Sequence, residues 1–357
     1  MIRQIQEASQ GLGWDHTLWA HSEFKQTRAP ELKIIRSPQA IADSASHLSL
    51  FKSAIASFLE LRHLLNSRDY DVIHAHSRGA FLISAFHSLT SRRPILFTNH
   101  TYANRTRMYR WGAGLKSMHT VALSPAMKRH YGYETLSQKQ RPSRVHIISA
   151  CCADRQFDQP LKSDFQFSSG DPLLRLVGVG ILARWKRWDL AIDAIAKLPE
   201  AFRKRIQLDI WGPTPPDEDS QAFEKELKNQ IMSQGVTDQV QLKGSTNQVN
   251  EKLQAADLFI IPSTNEPCSV ALMEALALGQ PALASRSGGN VDILDEEKTG
   301  LLFEPDSSSD LAEQIIRVLK GEWQPFPADQ IRESVRKRSA SQITQEYRKI
   351  YEQLAGW

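Results

Sequence analysis

Short apolar runs alternate with longer helical stretches along almost the whole chain, and that alternation restricts it to an α/β fold built on parallel sheets. Residues 16–20 and 32–35 read as short strands, followed by a long helix over 48–66. Strand-like runs then recur at 71–76, 95–98, 120–124 and 145–148. They are bounded by turn residues and separated by helical stretches, the pattern of strands buried on both faces. From 149 to 171 the periodicity fades, and that stretch reads as a linker. A second series begins at 173–179 and continues through 206–212, 240–244, 258–261, 281–284 and 300–303. Two doubly wound, Rossmann-like domains facing a central cleft are the expectation.

A chain of 357 residues has room for two such domains. No apolar run approaches the roughly 20 residues that a membrane helix needs, and the polar start is no secretory signal. The net charge of +4 is too mild to argue for nucleic acid. The three cysteines include the adjacent pair Cys151 and Cys152 and make neither a disulfide framework nor a zinc spacing. A cytoplasmic protein is expected, with peripheral association at the inner face of the plasma membrane as an option. The chain opens in a helical stretch, 2–10, with no strand and no glycine-rich turn before it. A doubly wound sheet usually has its first strand at the centre, so a missing first strand is the expectation, from a misplaced start in preference to a true truncation.

The chemistry concentrates after the run 258–261. A short loop carries Glu266, and a helix beginning near Ser269 carries Glu274. Free amides at the start of that helix, helped by its macrodipole, suit a phosphate. Carboxylates beside them suit neutral hydroxyls, because each accepts several hydrogen bonds and repels a bare anion. Phosphate plus polyol points to a sugar nucleotide. Gly178-Val179-Gly180 follows a strand, but Arg184-Trp185-Lys186-Arg187-Trp188 delays the next helix, so a nicotinamide fingerprint is the lesser reading. A basic loop at the carboxyl end of a strand fits a diphosphate better, with Arg184, Lys186 and Arg187 able to converge on it.

The run Glu266 to Glu274 resembles the E-x7-E signature of retaining GT-B glycosyltransferases of family four. Lys186 matches the lysine of that family's G-R-L-x-x-x-K-G motif. Ile181 stands where its arginine usually stands, and Arg187 replaces its second glycine. Gly244 after its strand, Ser287-Gly288-Gly289 and Gly300-Leu301-Leu302 match further. The resemblance implies the GT-B fold, with a donor domain at 154–341 and an acceptor domain at 1–153 plus a returning helix at 342–357. It also implies a nucleoside-diphosphate sugar as co-substrate, with no cofactor and no metal. Lys186, assisted by Arg184, would hold the diphosphate. Glu266 would orient the sugar, and Glu274 would bind the ribose. Gly244 and the segment Cys268, Ser269 and Val270 would complete the donor site. His100 resembles the histidine that family members place beside the transferring sugar.

The acceptor side is less defined. His76, Arg105 and Arg107 are the candidates, in a region mixing aromatics with positive charge. Sugars stack on aromatic faces, and phosphorylated glycans or anionic lipid headgroups favour arginine. RNA would be bound by similar residues, but no nucleic-acid motif accompanies them. His74 reads as a structural residue. Asp217-Glu218-Asp219 has a metal-site spacing and reads as a solvated turn. The expected activity is metal-independent transfer of a sugar to a glycan or lipid-linked acceptor, in bacterial cell-envelope polysaccharide or lipopolysaccharide synthesis. The alternative is a degenerate sugar-nucleotide-binding protein without transferase activity.

Overall fold

The structure is a computed structural model, and it describes residues 2–21, 33–37, 47–76, 78–103, 106–137, 144–167, 170 and 173–356. The chain divides into two compact units, Met1–Ser149 with Ala340–Trp357, and Ala150–Ser339.

In the first unit β1 (Thr17–His21) and β2 (Lys33–Ser37) form one parallel pair. A separate parallel sheet runs β3 (Ile73–His76), β4 (Ile95–Thr98), β5 (Met118–Ala122) and β6 (Val145–Ile147) in that order. Among the described residues β1 and β3 each pair on one edge only. A cavity of about 470 Å³ is lined by both strands, with Leu18, Leu61, Ile73 and Ile83 among its apolar walls. The final helix, Ala340–Ala355, packs on the opening helix Ile2–Ala8.

The second unit holds β7 (Leu174–Val179), β8 (Ile206–Trp211), β9 (Val240–Gly244), β10 (Leu258–Ile261), β11 (Ala282–Ser285) and β12 (Gly300–Phe303). They form one sheet in the order β12-β11-β10-β7-β8-β9, and every pairing is parallel. The chain winds outward from β7 to β9, returns to the other side of β7 at β10, and winds outward again. The carboxyl ends of β7 and β10 therefore flank the switch point where open α/β sheets bind ligands. Every residue of β10 is buried, which is why the run Leu258-Phe259-Ile260-Ile261 shows no alternation. Helices Trp188–Lys197, Glu218–Ser233 and Ser308–Leu319 cover the sheet through Trp188, Leu190, Leu227 and Ile315.

Three local expectations differ from the structure. The strand expected at 120–124 ends at Ala122, because Ser124 caps the helix Pro125–His130 by accepting from the Met127 amide at 3.1 Å. The helix expected to return at 342–357 opens two residues earlier, as Ala340–Ala355, behind a separate helix Ala328–Arg336. The Arg338 carbonyl between them accepts from the Cys152 amide at 2.9 Å, outside any helical ladder. The stretch that reads as a linker belongs largely to the second unit: Phe165 and Phe167 are buried in its core with Trp323. Polar neighbours on either side hide those two aromatics from a periodicity argument.

Candidate functional site

The ends of β7, β8 and β9 are drawn together by glycine. The Gly212 amide donates to the Gly244 carbonyl and the Gly180 amide to the Trp211 carbonyl, both at 2.9 Å. A Cβ on Gly212 would lie 1.9 Å from the Gly180 carbonyl oxygen, so no other residue fits there. Gly244 itself sits at φ +70°. Beyond β7 the chain makes a single tight turn, Arg184–Lys186, and Arg187 enters the next helix at φ 55°. That turn directs Lys186 inward, along Gly180 and against the Trp185 ring, whose centroid lies 4.3 Å from Nζ.

The loop after β10 meets this turn. The Thr264 amide donates to the Trp185 carbonyl at 3.0 Å. Gly288 and Gly289 support it from the other side: a Cβ on Gly288 would lie 2.2 Å from the Glu266 carbonyl oxygen, the same oxygen that accepts from the Gly289 amide at 2.7 Å. So held, the Glu266 carboxylate accepts a hydrogen bond from Lys186 Nζ at 2.8 Å, with the two side chains only 9 % and 10 % exposed. Two charges in a nearly water-free setting survive only as a pair.

Ser269 caps the helix Val270–Ala277, its hydroxyl accepting from the Leu272 amide at 3.2 Å. The amides of Val270 and Ala271, at the positive end of the helix, have no acceptor among the described residues. Cys268 beside them is a neutral thiol, pushed up to about 11 by burial. Glu274 lies inside the helix, and its carboxyl has no hydrogen-bond donor among the described residues. Burial raises its pKa, with Arg155 pulling the other way. Gln156 Nε2 ties this region together, donating to Asn250 Oδ1 at 2.8 Å and to the Glu274 carbonyl at 3.3 Å. Sequence reasoning did not single out Trp185, Gln156 or Asn250, since each acts across the fold and carries no local signal.

Arg184 does not join Lys186 and Glu266. Its guanidinium is bidentate on Glu226, at 2.7 Å for each bond, and donates to Asp219 at 2.8 Å. The turn that points Lys186 inward points Arg184 outward to the helix Glu218–Ser233, where both acids sit. Arg187 is paired with Asp189 and Asp306. Asp217 caps that helix by accepting from the Ser220 amide, so the acidic triplet is a helix start. Among the described residues no group of three or more His, Cys, Asp or Glu is arranged to hold a metal ion.

In the first unit three histidines gather at the ends of β3 and β4. His74 is sealed between the Tyr351 hydroxyl at 2.6 Å and the Thr98 hydroxyl at 2.7 Å, and burial lowers its pKa to about 3. His76 Nδ1 and His100 Nε2 share a hydrogen bond of 3.0 Å. Burial lowers His100 to about 4 and holds His76 well below its ordinary value, so both rings are neutral near pH 7. Arg107 lines an open cavity of about 620 Å³ with Arg110, Trp111, Gly114, Leu115 and Leu136. Trp111 is 51 % exposed at its rim. Arg105 lies outside the described residues. No helix among the described residues is long and apolar enough to cross a membrane.

Two parallel α/β units, the second carrying a cation, a carboxylate and a helix start at its switch point, define the GT-B architecture. Comparison with known proteins agrees. Residues 162–338 match the family described as "Glycosyl transferases group 1", and residues 1–150 match "Glycosyltransferase Family 4"; the chain is a glycosyltransferase of that family. It is 23 % identical to the 2-deoxystreptamine N-acetyl-D-glucosaminyltransferase of Niallia circulans over 78 % of this chain and 73 % of the relative. It is 30 % identical to the lipopolysaccharide glucosyltransferase WaaG of Escherichia coli K12 over 37 % of this chain and 33 % of the relative. Sucrose-phosphate synthase from Thermosynechococcus elongatus shares the fold with a TM-score of 0.81 at 19 % identity, covering 99 % of this chain and 92 % of the other. HepE of Anabaena, in complex with UDP and glucose, does so at 0.68 and 18 %, covering 90 % and 86 %.

Proposed function

We propose that the protein is a retaining glycosyltransferase that moves a sugar from a nucleoside-diphosphate donor to a glycan or lipid-linked acceptor. The observation that carries this reading is the buried Lys186–Glu266 pair beside a helix start at the sheet's switch point. Lys186 and the amides of Val270 and Ala271 meet the charge that develops on the departing diphosphate, without a metal or a cofactor. Glu266 orients sugar hydroxyls, and Glu274, held as a half-buried acceptor, takes the ribose. The acceptor hydroxyl attacks from the face the diphosphate leaves, and a phosphate oxygen takes its proton.

The first unit supplies the acceptor side through His76 and His100. Neutral imidazoles suit hydroxyl recognition, since each ring offers one donor and one acceptor. Arg107, Arg110 and the exposed Trp111 fit a phosphorylated glycan or the inner face of a membrane. The lipopolysaccharide glucosyltransferase relative supports a role in cell-envelope glycan synthesis, and the UDP and glucose in the HepE structure support the donor class. The test is Glu266→Gln in a panel of nucleotide sugars with and without glycan acceptors. Turnover should fall by roughly 10²-fold, as expected for a group that orients the reacting sugar in the transition state. Unchanged turnover in a folded variant removes Glu266 from the reaction. Nucleotide-sugar binding with no release under any acceptor favours a binding protein without transferase activity.

A further inference from the structure

Lys186 and Glu266 are one hydrogen bond apart, and neither can retreat far. The Glu266 main chain is gripped by Gly288 and Gly289. The Lys186 chain runs past Gly180, where a Cβ would already lie 3.2 Å from its Cε. Among the described residues, Lys186 has no second acid, and Glu266 no second cation. In the reading proposed above, on which this inference rests, the ammonium meets the departing diphosphate and the carboxylate orients the sugar; since the two side chains touch, the phosphate that reaches Lys186 is the distal one, bonded to the sugar. A phosphate oxygen on Lys186 then lies about 5 Å from the Glu266 carboxylate, because two ordinary hydrogen bonds meet at one nitrogen.

The consequence depends on what the phosphate carries. In a nucleotide sugar the distal phosphate is a diester with one negative charge, and the sugar's hydroxyls donate to Glu266. In the free nucleoside diphosphate the same phosphate is a monoester with close to two charges, and no hydroxyl donates. The pinned carboxylate then faces a more highly charged anion with nothing between them. We propose that Glu266 selects the loaded donor against its own nucleotide product: it competes with the terminal phosphate for Lys186 and speeds departure of the nucleoside diphosphate once the sugar has left.

The experiment is calorimetric titration of the wild type, Glu266→Gln and Lys186→Met with UDP, GDP, ADP and dTDP, and with the matching nucleoside monophosphates. Removing one negative charge about 5 Å from a phosphate should tighten nucleoside-diphosphate binding by about tenfold or more in Glu266→Gln. Monophosphates, which stop short of Lys186, should bind the two proteins equally, and this control separates a local charge effect from a disturbed fold. Lys186→Met should lose diphosphate affinity and keep monophosphate affinity. Diphosphate binding that is equal or weaker in Glu266→Gln, or a monophosphate shift of the same size, overturns the selection while leaving the donor reading standing. If the wild type binds no nucleoside diphosphate, the donor reading fails and the selection fails with it.

Discussion

Replacing Lys186 by methionine keeps an unbranched stem, one atom shorter, and removes its charge, leaving the Glu266 carboxylate one tenth exposed and without its cation. Breaking a buried pair from one side typically costs about 3–5 kcal/mol, because the remaining charge stays desolvated. Around Glu266 the loop cannot open to water without pushing on Gly288 and Gly289, which touch its backbone, so at least the middle of that range applies, about 4 kcal/mol. For a unit of this size that lowers the melting temperature by roughly 8–16 °C. Glu266→Gln removes the counter-charge instead, but the Gln amide oxygen still accepts from Lys186, which also keeps the Trp185 ring at 4.3 Å, so about 2 kcal/mol is expected. The two together, Lys186→Met with Glu266→Gln, leave no buried charge and should be more stable than Lys186→Met alone by at least about 1.5 kcal/mol. The assay is a double-mutant cycle on thermal unfolding, with hydrogen exchange of β7 and β10 reporting the second unit directly. Additive single effects, or a loss below about 1 kcal/mol in Lys186→Met, would refute the idea that the pair is locked in a water-poor setting.

Gly288→Ala places a Cβ 2.2 Å from the Glu266 carbonyl at a positive φ of 59°; it should destabilise by roughly 2–4 kcal/mol and abolish donor binding, measured by unfolding and nucleotide titration. Arg184→Ala removes exposed ion pairs and a contact over the Phe223 ring, so turnover should stay within about twofold of the wild type; a loss near 100-fold would return Arg184 to the donor site. Glu274→Gln should weaken nucleotide binding by about tenfold with kcat nearly unchanged, the signature of a contact made equally in ground and transition states. The neutral pair His76 and His100 sets a pH dependence: with His100 held near 4 against an ordinary 6.5, the unfolded chain binds protons first. Stability of the first unit is then fully present above about pH 6.5 and is lost as pH falls toward 4, by on the order of 2 kcal/mol for this ring. A flat profile between pH 7 and 4.5 in hydrogen exchange of β3 and β4 would contradict it.

Much of this architecture was legible because parallel strands buried on both faces write continuous apolar runs. The bounds of β4, β9, β10 and β12 coincide with the expected runs, and each ends at a residue that cannot extend it or at a change of polarity. Where a run continued past its strand, as at 120–124, a cap took the final residues. Lys186 and Glu266 stand out in the sequence as part of a basic loop after a strand and as a carboxylate at a helix mouth, and through the resemblance to family-four motifs; the strand order then sets both beside the switch point. Arg184 could not be resolved from its neighbour by sequence. Two residues in one tight turn point in different directions, and the acids that capture Arg184 lie 35 and 42 residues away.

The pairing of Lys186 with Glu266 was equally out of reach, since it spans 80 residues and depends on contacts with no sequence signature. Thr264 must hold the Trp185 carbonyl, and two glycines must press on the Glu266 backbone. The motif residues are therefore only part of the device. A carboxylate and an ammonium on separate loops would each be hydrated and worth little to a donor. What makes them one site is that the Gly288-Gly289 turn and the Trp185 carbonyl fix both main chains before any ligand arrives. Arg184, by contrast, is half exposed and meets two acids and the Phe223 ring.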